Sequence, residues 1–349
     1  MNGLILVTGG TGTLGREVVR LLEVQGRTVR VLSRRPPPAE PGPADWATGD
    51  LKTGRGIDAA VAGADVIVHC ATGLGDVGAT RHLIESARRA GSPHLVYMSI
   101  VGVDRFPVGY YRSKLQAERL VEDSGLPWTV LRATQFHQLI LRGCEALAHL
   151  PVLPVPAGTA FQPIEAGEVA ARLAELATGP AAGRVPDMGG PEVRGAASLA
   201  LSYLAARGQN RPVVPVRLPG AVFAGYRLGG HLAPDHAAGR VTFDEFLAGP
   251  SGSAPADHGP GRVPPSGSPR SRRGVMAKRW SDLSPGTRKT IIVLGVAEAA
   301  LKAAAAIDMK RRPADQIRGP KWAWAAGLVI NSAGVVPLSY FAFGRRPAP

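Results

Sequence analysis

Apolar runs of strand length alternate with amphipathic stretches of helix length through the first 150 residues. The pattern predicts strands at 4–8, 28–32, 66–70, 95–99 and 129–132, and helices at 16–25, 78–89, 110–123 and 135–149. Regular alternation of the two builds an α/β layered unit around a doubly wound parallel sheet, here residues 1–150. From 151 to 248 the pattern loosens into proline-rich turns with helices at 166–177 and 196–207. This stretch is expected to form a small lobe that walls the other side of a substrate cleft. The chain carries no internal repeats.

Beyond residue 248 the composition changes abruptly. Between 249 and 274, 17 of 26 residues are Gly, Pro or Ser, which predicts a disordered linker over 249–275. Two apolar stretches follow, at 290–307 and 322–343. The second runs for 22 residues without a formal charge. Trp322 and Trp324 stand at one end of it and Tyr340, Phe341, Arg345 and Arg346 at the other, so a membrane helix is predicted. The first contains Glu298 and Lys302, each costing about 2.5–3.5 kcal/mol at mid-bilayer against roughly 3 kcal/mol returned by its seven Leu, Ile and Val residues. Their i,i+4 spacing permits pairing, so a spanning hairpin and a helix lying at the interface both stay open.

The net charge of +14 is lopsided. Residues 250–349 hold 16 Lys and Arg against 5 Asp and Glu, whereas residues 1–249 are nearly balanced at 25 against 22. An excess confined to the tail argues against a nucleic-acid partner and fits basic flanks of membrane segments. Seven basic residues lie between Arg270 and Lys289, with Arg345 and Arg346 at the far end, against five in the loop from Lys310 to Lys321. That bias places residues 1–249 at the cytoplasmic face of the cell membrane, or in the cytoplasm if the tail is not inserted. Cys70 and Cys144 have no disulfide or zinc spacing and read as core thiols. The eight histidines, His69, His94 and His137 among them, form no metal spacing.

Candidate chemistry begins where the first strand ends, at Thr8-Gly9-Gly10-Thr11-Gly12-Thr13-Leu14-Gly15. Gly9 suits a tight strand-to-helix turn, Gly12 lets main chain approach a pyrophosphate, and Gly15 lets helix pack on strand. The free N–H groups of the helix, with Thr11, Thr13 and Leu14 in the turn, then face the phosphates of a dinucleotide. The second strand ends in Ser33-Arg34-Arg35, where an NAD site carries an acid. The arginines could clasp a 2′-phosphate, so NADP(H) is expected in preference to NAD(H), against a reading as plain surface arginines. Asp50-Leu51, after the third strand, is placed to reach the adenine. Tyr110 and Lys114, four apart on one helix face, with Ser99 at the preceding strand end, supply the roles of a hydride-transfer site. The phenol gives a proton, the ammonium lowers its pKa and holds the nicotinamide ribose, and the hydroxyl steadies a carbonyl.

On these motifs, together with Trp128-Thr129-Val130-Leu131-Arg132-Ala133-Thr134-Gln135-Phe136, residues 1–249 resemble the short-chain dehydrogenase/reductase superfamily, and more closely its atypical NmrA-like, NAD(P)H-binding branch. The resemblance implies a Rossmann fold with a small C-terminal substrate lobe. It also implies cofactor contacts from Ala71 and Thr72, although His69-Cys70-Ala71-Thr72-Gly73 replaces the Asn-Ala-Gly-like turn of active dehydrogenases. The expected function is NAD(P)H-dependent reduction of a small carbonyl or quinone. A non-catalytic NADP(H) sensor and a nucleotide-sugar epimerase are the alternatives. Residues 276–346 resemble the two-helix phospholipase D-nuclease N-terminal domain through Gly319-Pro320-Lys321-Trp322 and the ending from Pro337 to Arg346, without a His-Lys-Asp motif. Met276 opens this module as an initiator methionine would, which raises two joined units against one tethered enzyme.

Overall fold

The computed structural model describes residues 3–35, 42–71, 73, 75–106, 109–218 and 220–249, together with 305, 307–311 and 316–317. The chain divides into two compact units, 1–277 and 278–349. In the second, residues 307–311 are helical. The expected linker beyond 249, the apolar stretch 322–343, nearly all of 290–307 and most of the two-helix module lie outside the described residues. Among the described residues no helix is long and apolar enough to cross a membrane.

The first unit opens with β1 (Leu4–Thr8), α1 (Thr13–Val24), β2 (Thr28–Ser33), β3 (Asp45–Thr48), α2 (Ile57–Val61) and β4 (Ala64–His69). It continues through α3 (Asp76–Arg89), β5 (His94–Ile100), α4 (Gly109–Glu122), β6 (Trp128–Ala133) and α5 (His137–Leu147). Then come β7 (Leu153–Pro156), β8 (Ala160–Phe161), α6 (Ala166–Thr178), β9 (Gly183–Arg184), β10 (Arg194–Gly195), α7 (Ala196–Ala206), β11 (Val213–Val216), α8 (Ala221–Arg227) and α9 (Phe243–Ala248). Seven strands form one parallel sheet in the order β3-β2-β1-β4-β5-β6-β9. This is the Rossmann-like α/β architecture that the alternation predicts.

Strand side chains point to opposite faces in turn, so each strand feeds two cores. Ile5, Val7, Val29, Val31, Val68, Val96 and Leu131 pack under α1 and α6. Leu6, Leu32, Ile67, Leu95, Tyr97 and Val130 pack under α2, α3 and α4. Both faces are covered, which is why these strands read as almost continuous apolar runs.

One expectation about the layout is corrected. The lobe boundary at 150 does not hold in space, because α6 and β9 return to the sheet: Val169, Ala170, Leu173 and Ala174 join the core beneath α1, and β9 pairs with β6. The helix buries a stripe at three- and four-residue spacing that is rich in alanine, and such a stripe sits close against a neighbouring helix and sheet. The smaller lobe has its own core from α5, α7, α9, β7 and β11, including Leu141, Leu153, Leu199, Tyr203, Val213 and Phe243.

The turn between β1 and α1 needs glycine for a steric reason. A methyl group on Gly15 would lie 2.2 Å from the Gly9 carbonyl oxygen and 2.8 Å from Gly10 Cα. Helix propensity favours Ala over Gly by about 1 kcal/mol, whereas overpacking costs about 1–3 kcal/mol, and the obstacle here is main chain that cannot rotate away. Gly15→Ala is therefore expected to lower stability by up to about 2 kcal/mol net, read as a lower urea midpoint. A midpoint equal to or above wild type would mean that helix and turn separate without cost.

Candidate active site

The carboxyl ends of the parallel strands are level: Thr8 pairs with Leu32 on one side and His69 on the other, and His69 pairs with Tyr97. The winding reverses at β1, and in open α/β sheets a crevice forms outside the strand ends at that point. A cleft of about 390 Å³ lies there. Leu32, Ser33, Arg34, Asp50, Leu51 and Lys52 line its outer end, Gly9, Thr11 and Gly12 its middle, and Cys70, Ala71, Gly73 and Asp76 its inner end.

The middle is a phosphate cradle. Gly9 adopts φ +71°, and a Cβ there would sit 2.7 Å from Ala71 N, so only glycine fits. Gly12 N–H donates to Gly9 O at 2.9 Å, closing the turn into α1. The helix starts at Thr13, three residues earlier than the sequence pattern suggests, so its first turn, whose N–H groups have no partner within the helix, follows directly on the cleft residues Thr11 and Gly12. Leu14 and Gly15 are buried beneath the turn and shape it from below. These features fit the pyrophosphate of a dinucleotide.

At the outer end Arg34 lines the cleft, and the two residues directly after β2 are arginines with no acid at that position. Arg35 is exposed, and its main-chain N–H donates to Ser33 Oγ at 3.0 Å. Asp50 shapes its own turn by accepting from Lys52 N at 3.0 Å. Lys52 is a cleft residue that the sequence motifs did not single out. Ala71 is at the inner end, and Thr72 lies outside the described residues.

The three candidate catalytic residues are not arranged alike. Lys114 is 3% exposed, with Nζ 3.0 Å from Tyr97 Oη, 2.8 Å from Met98 O and 3.7 Å from Asp76 Oδ2. Tyr110 is 43% exposed at the start of α4. The neighbouring Tyr111 is committed elsewhere: its hydroxyl is 3.1 Å from that of Tyr226 and its ring packs 4.7 Å from Phe106. Ser99 is not brought to the cleft. It is fully buried and its hydroxyl donates to Glu118, which also binds Arg132 through Nε at 3.1 Å. Arg132 reaches Asp104 at 3.0 Å as well. A hydroxyl spent on a buried carboxylate cannot steady a substrate carbonyl, which corrects the role expected for Ser99.

The remaining polar residues near the cleft are packed. His69 holds Thr8 Oγ1 through Nδ1 at 2.6 Å, and burial, reinforced by the Lys114 charge, pushes its pKa down to about 3. Burial pushes the half-buried Cys70 and the buried Cys144 up to about 12, so both are unreactive thiols. Among the described residues no cluster could hold a metal ion.

Fold, switch-point cleft and glycine turn together define a dinucleotide-binding Rossmann protein. Residues 9–142 match the NAD(P)H-binding family. An NAD(P)H azoreductase of Xenophilus azovorans is 31% identical over 60% of this chain and 75% of its own length. The chain belongs to this NAD(P)H-binding family. An uncharacterized protein of Mycobacterium tuberculosis is 28% identical over 62% of the chain, which spans only 24% of that larger protein. An NADPH-dependent quinone oxidoreductase of Escherichia coli superposes with TM-score 0.61 over 70% of this chain and 98% of its own. At 19% identity that likeness concerns the fold.

Proposed function

We propose that the protein is an NADPH-dependent reductase that passes hydride to a small carbonyl or quinone. The observation that carries this reading is the cleft, which offers Arg34 directly after β2, where an NAD site carries an acid, and a buried lysine behind its inner end. The azoreductase relative supports a reductase. Nicotinamide supplies the hydride when bound. Arg34 binds the 2′-phosphate, the turn at Gly9 to Thr13 binds the pyrophosphate, Lys114 holds the nicotinamide ribose, and Tyr110 gives the proton. Residues 322–343 would hold the enzyme at the cytoplasmic face of a membrane, a reading that rests on their uncharged 22-residue run.

Cofactor choice and turnover test the proposal together. NADPH oxidation is measured against a panel of quinones and aldehydes, and Arg34→Ala is expected to weaken NADPH binding about tenfold while leaving NADH unchanged. Equal losses for both nucleotides, or none, would defeat the NADP(H) assignment. The burial of Ser99 favours a second reading, a non-catalytic NADP(H)-sensing module. It requires cofactor binding with no oxidation on any member of the panel.

A further inference from the structure

A buried charge cluster stands behind the inner end of the cleft, and one member of it has no role in the motifs. Asp76 begins α3, is 6% exposed, lines the cleft and accepts from Gly73 N at 2.5 Å. Its other oxygen is 3.7 Å from Lys114 Nζ. That ammonium also lies 4.4 Å from the centre of the Tyr97 ring. Removing an ammonium from water costs several kcal/mol unless a partner offsets it.

The groups facing Lys114 can be sorted by charge. From β5 comes Tyr97, a phenol whose burial raises its pKa, so it is neutral. From the end of β4 come His69, neutral with a pKa of about 3, and the Cys70 thiol at about 12. From its own helix comes Glu118, already tied to Arg132 and Ser99. Asp76, from α3, is the carboxylate within ion-pair reach of the ammonium, at 3.7 Å.

We propose that Asp76 is a positioning residue that keeps Lys114 cationic and fixed behind the inner wall of the cleft, and so sets the affinity for the dinucleotide. This rests on the cleft being the cofactor site. Burial pushes the Lys114 pKa down, and Asp76, ahead of Cys70 and Glu118, pushes it back up. Without the carboxylate, deprotonation of Lys114 moves toward the neutral range, and the attraction for an anionic ligand is lost as pH rises.

The test is NADPH affinity of full-length wild type and Asp76→Asn, measured by fluorescence titration and expressed as their ratio at each pH. Relative affinity of the variant should fall about tenfold between about pH 6 and pH 9. Asp76→Glu should restore the wild-type profile. Asp76→Asn combined with Lys114→Arg should be flat, because a guanidinium does not titrate in this range. A ratio that does not change with pH overturns the proposal, whether affinity is lost or kept.

Urea unfolding across the same range gives an independent reading if the variant is unstable. An unopposed buried ammonium destabilises less once deprotonated, so the midpoint deficit of Asp76→Asn must shrink as pH rises. A constant deficit overturns the proposal. Failure of wild type to bind NADPH or NADH would instead remove the cofactor reading, and the urea test of the ion pair would still stand.

Discussion

Tyr110→Phe is expected to lower kcat for NADPH-dependent reduction by about 10²–10⁴-fold while leaving NADPH affinity within about twofold. The distinction between Tyr110 and Tyr111 lies in what their hydroxyls already do. Tyr111 is bonded to Tyr226 within a ring cluster that includes Phe106, Phe161 and His231, so its phenol holds α4 against the segment around α8. Tyr110 has water access at the start of α4. The Tyr97 hydroxyl, by contrast, accepts from the buried Lys114. Tyr111→Phe is expected to spare turnover and cost about 1 kcal/mol of stability. Steady-state kinetics and cofactor titration on both variants separate the cases. Full activity in Tyr110→Phe would sink the assignment of the proton donor.

Glu118→Gln is expected to destabilise the first unit by about 3 kcal/mol, equivalent to a fall of about 10 °C in Tm. Glu118 is 1% exposed and Arg132 4% exposed, and breaking such a pair leaves a guanidinium charge with little water around it. Asp104 still contacts the other arm of Arg132 but is itself half-exposed, so it offsets only part of the loss. Replacing the pair with Glu118→Leu and Arg132→Met together should recover most of the stability, since no buried charge is then left over. Calorimetry of the single and double variants decides the matter. A single-variant loss below about 1 kcal/mol would place the pair with ordinary surface ion pairs.

The parts of the site that local chemistry dictates were legible in the sequence. Gly9 and Gly15 are required by a positive φ and by close main-chain approach, and both constraints act within a few residues. The strands of the sheet were legible because burial on both faces makes them apolar throughout, but β9 has only two residues and leaves no pattern to read. The helix of residues 57–61 escaped notice for the same reason, being little more than one turn. The stripe on α6 announces burial without naming the surface that buries it. Pairings across the fold were illegible: nothing local singles out Tyr97 or Asp76, and Ser99 at a strand end reads as a hydroxyl available to a substrate. Period-two alternation does put Tyr97 and Ser99 on one face of β5, toward α4, and that was the available clue.

The return of α6 and β9 to the sheet has a consequence for modularity. The cofactor-binding half is not a cassette that evolution or an experimenter could lift out at residue 150 and graft elsewhere. A chain cut there would leave Val68, Val96 and Leu131 facing water where α6 now covers them. The small lobe cannot be exchanged alone either, because its two stretches of sequence are stitched on either side of that helix. Change in this architecture is therefore free to act through the loops and aromatic side chains of the small lobe, while the order of segments along the chain stays locked.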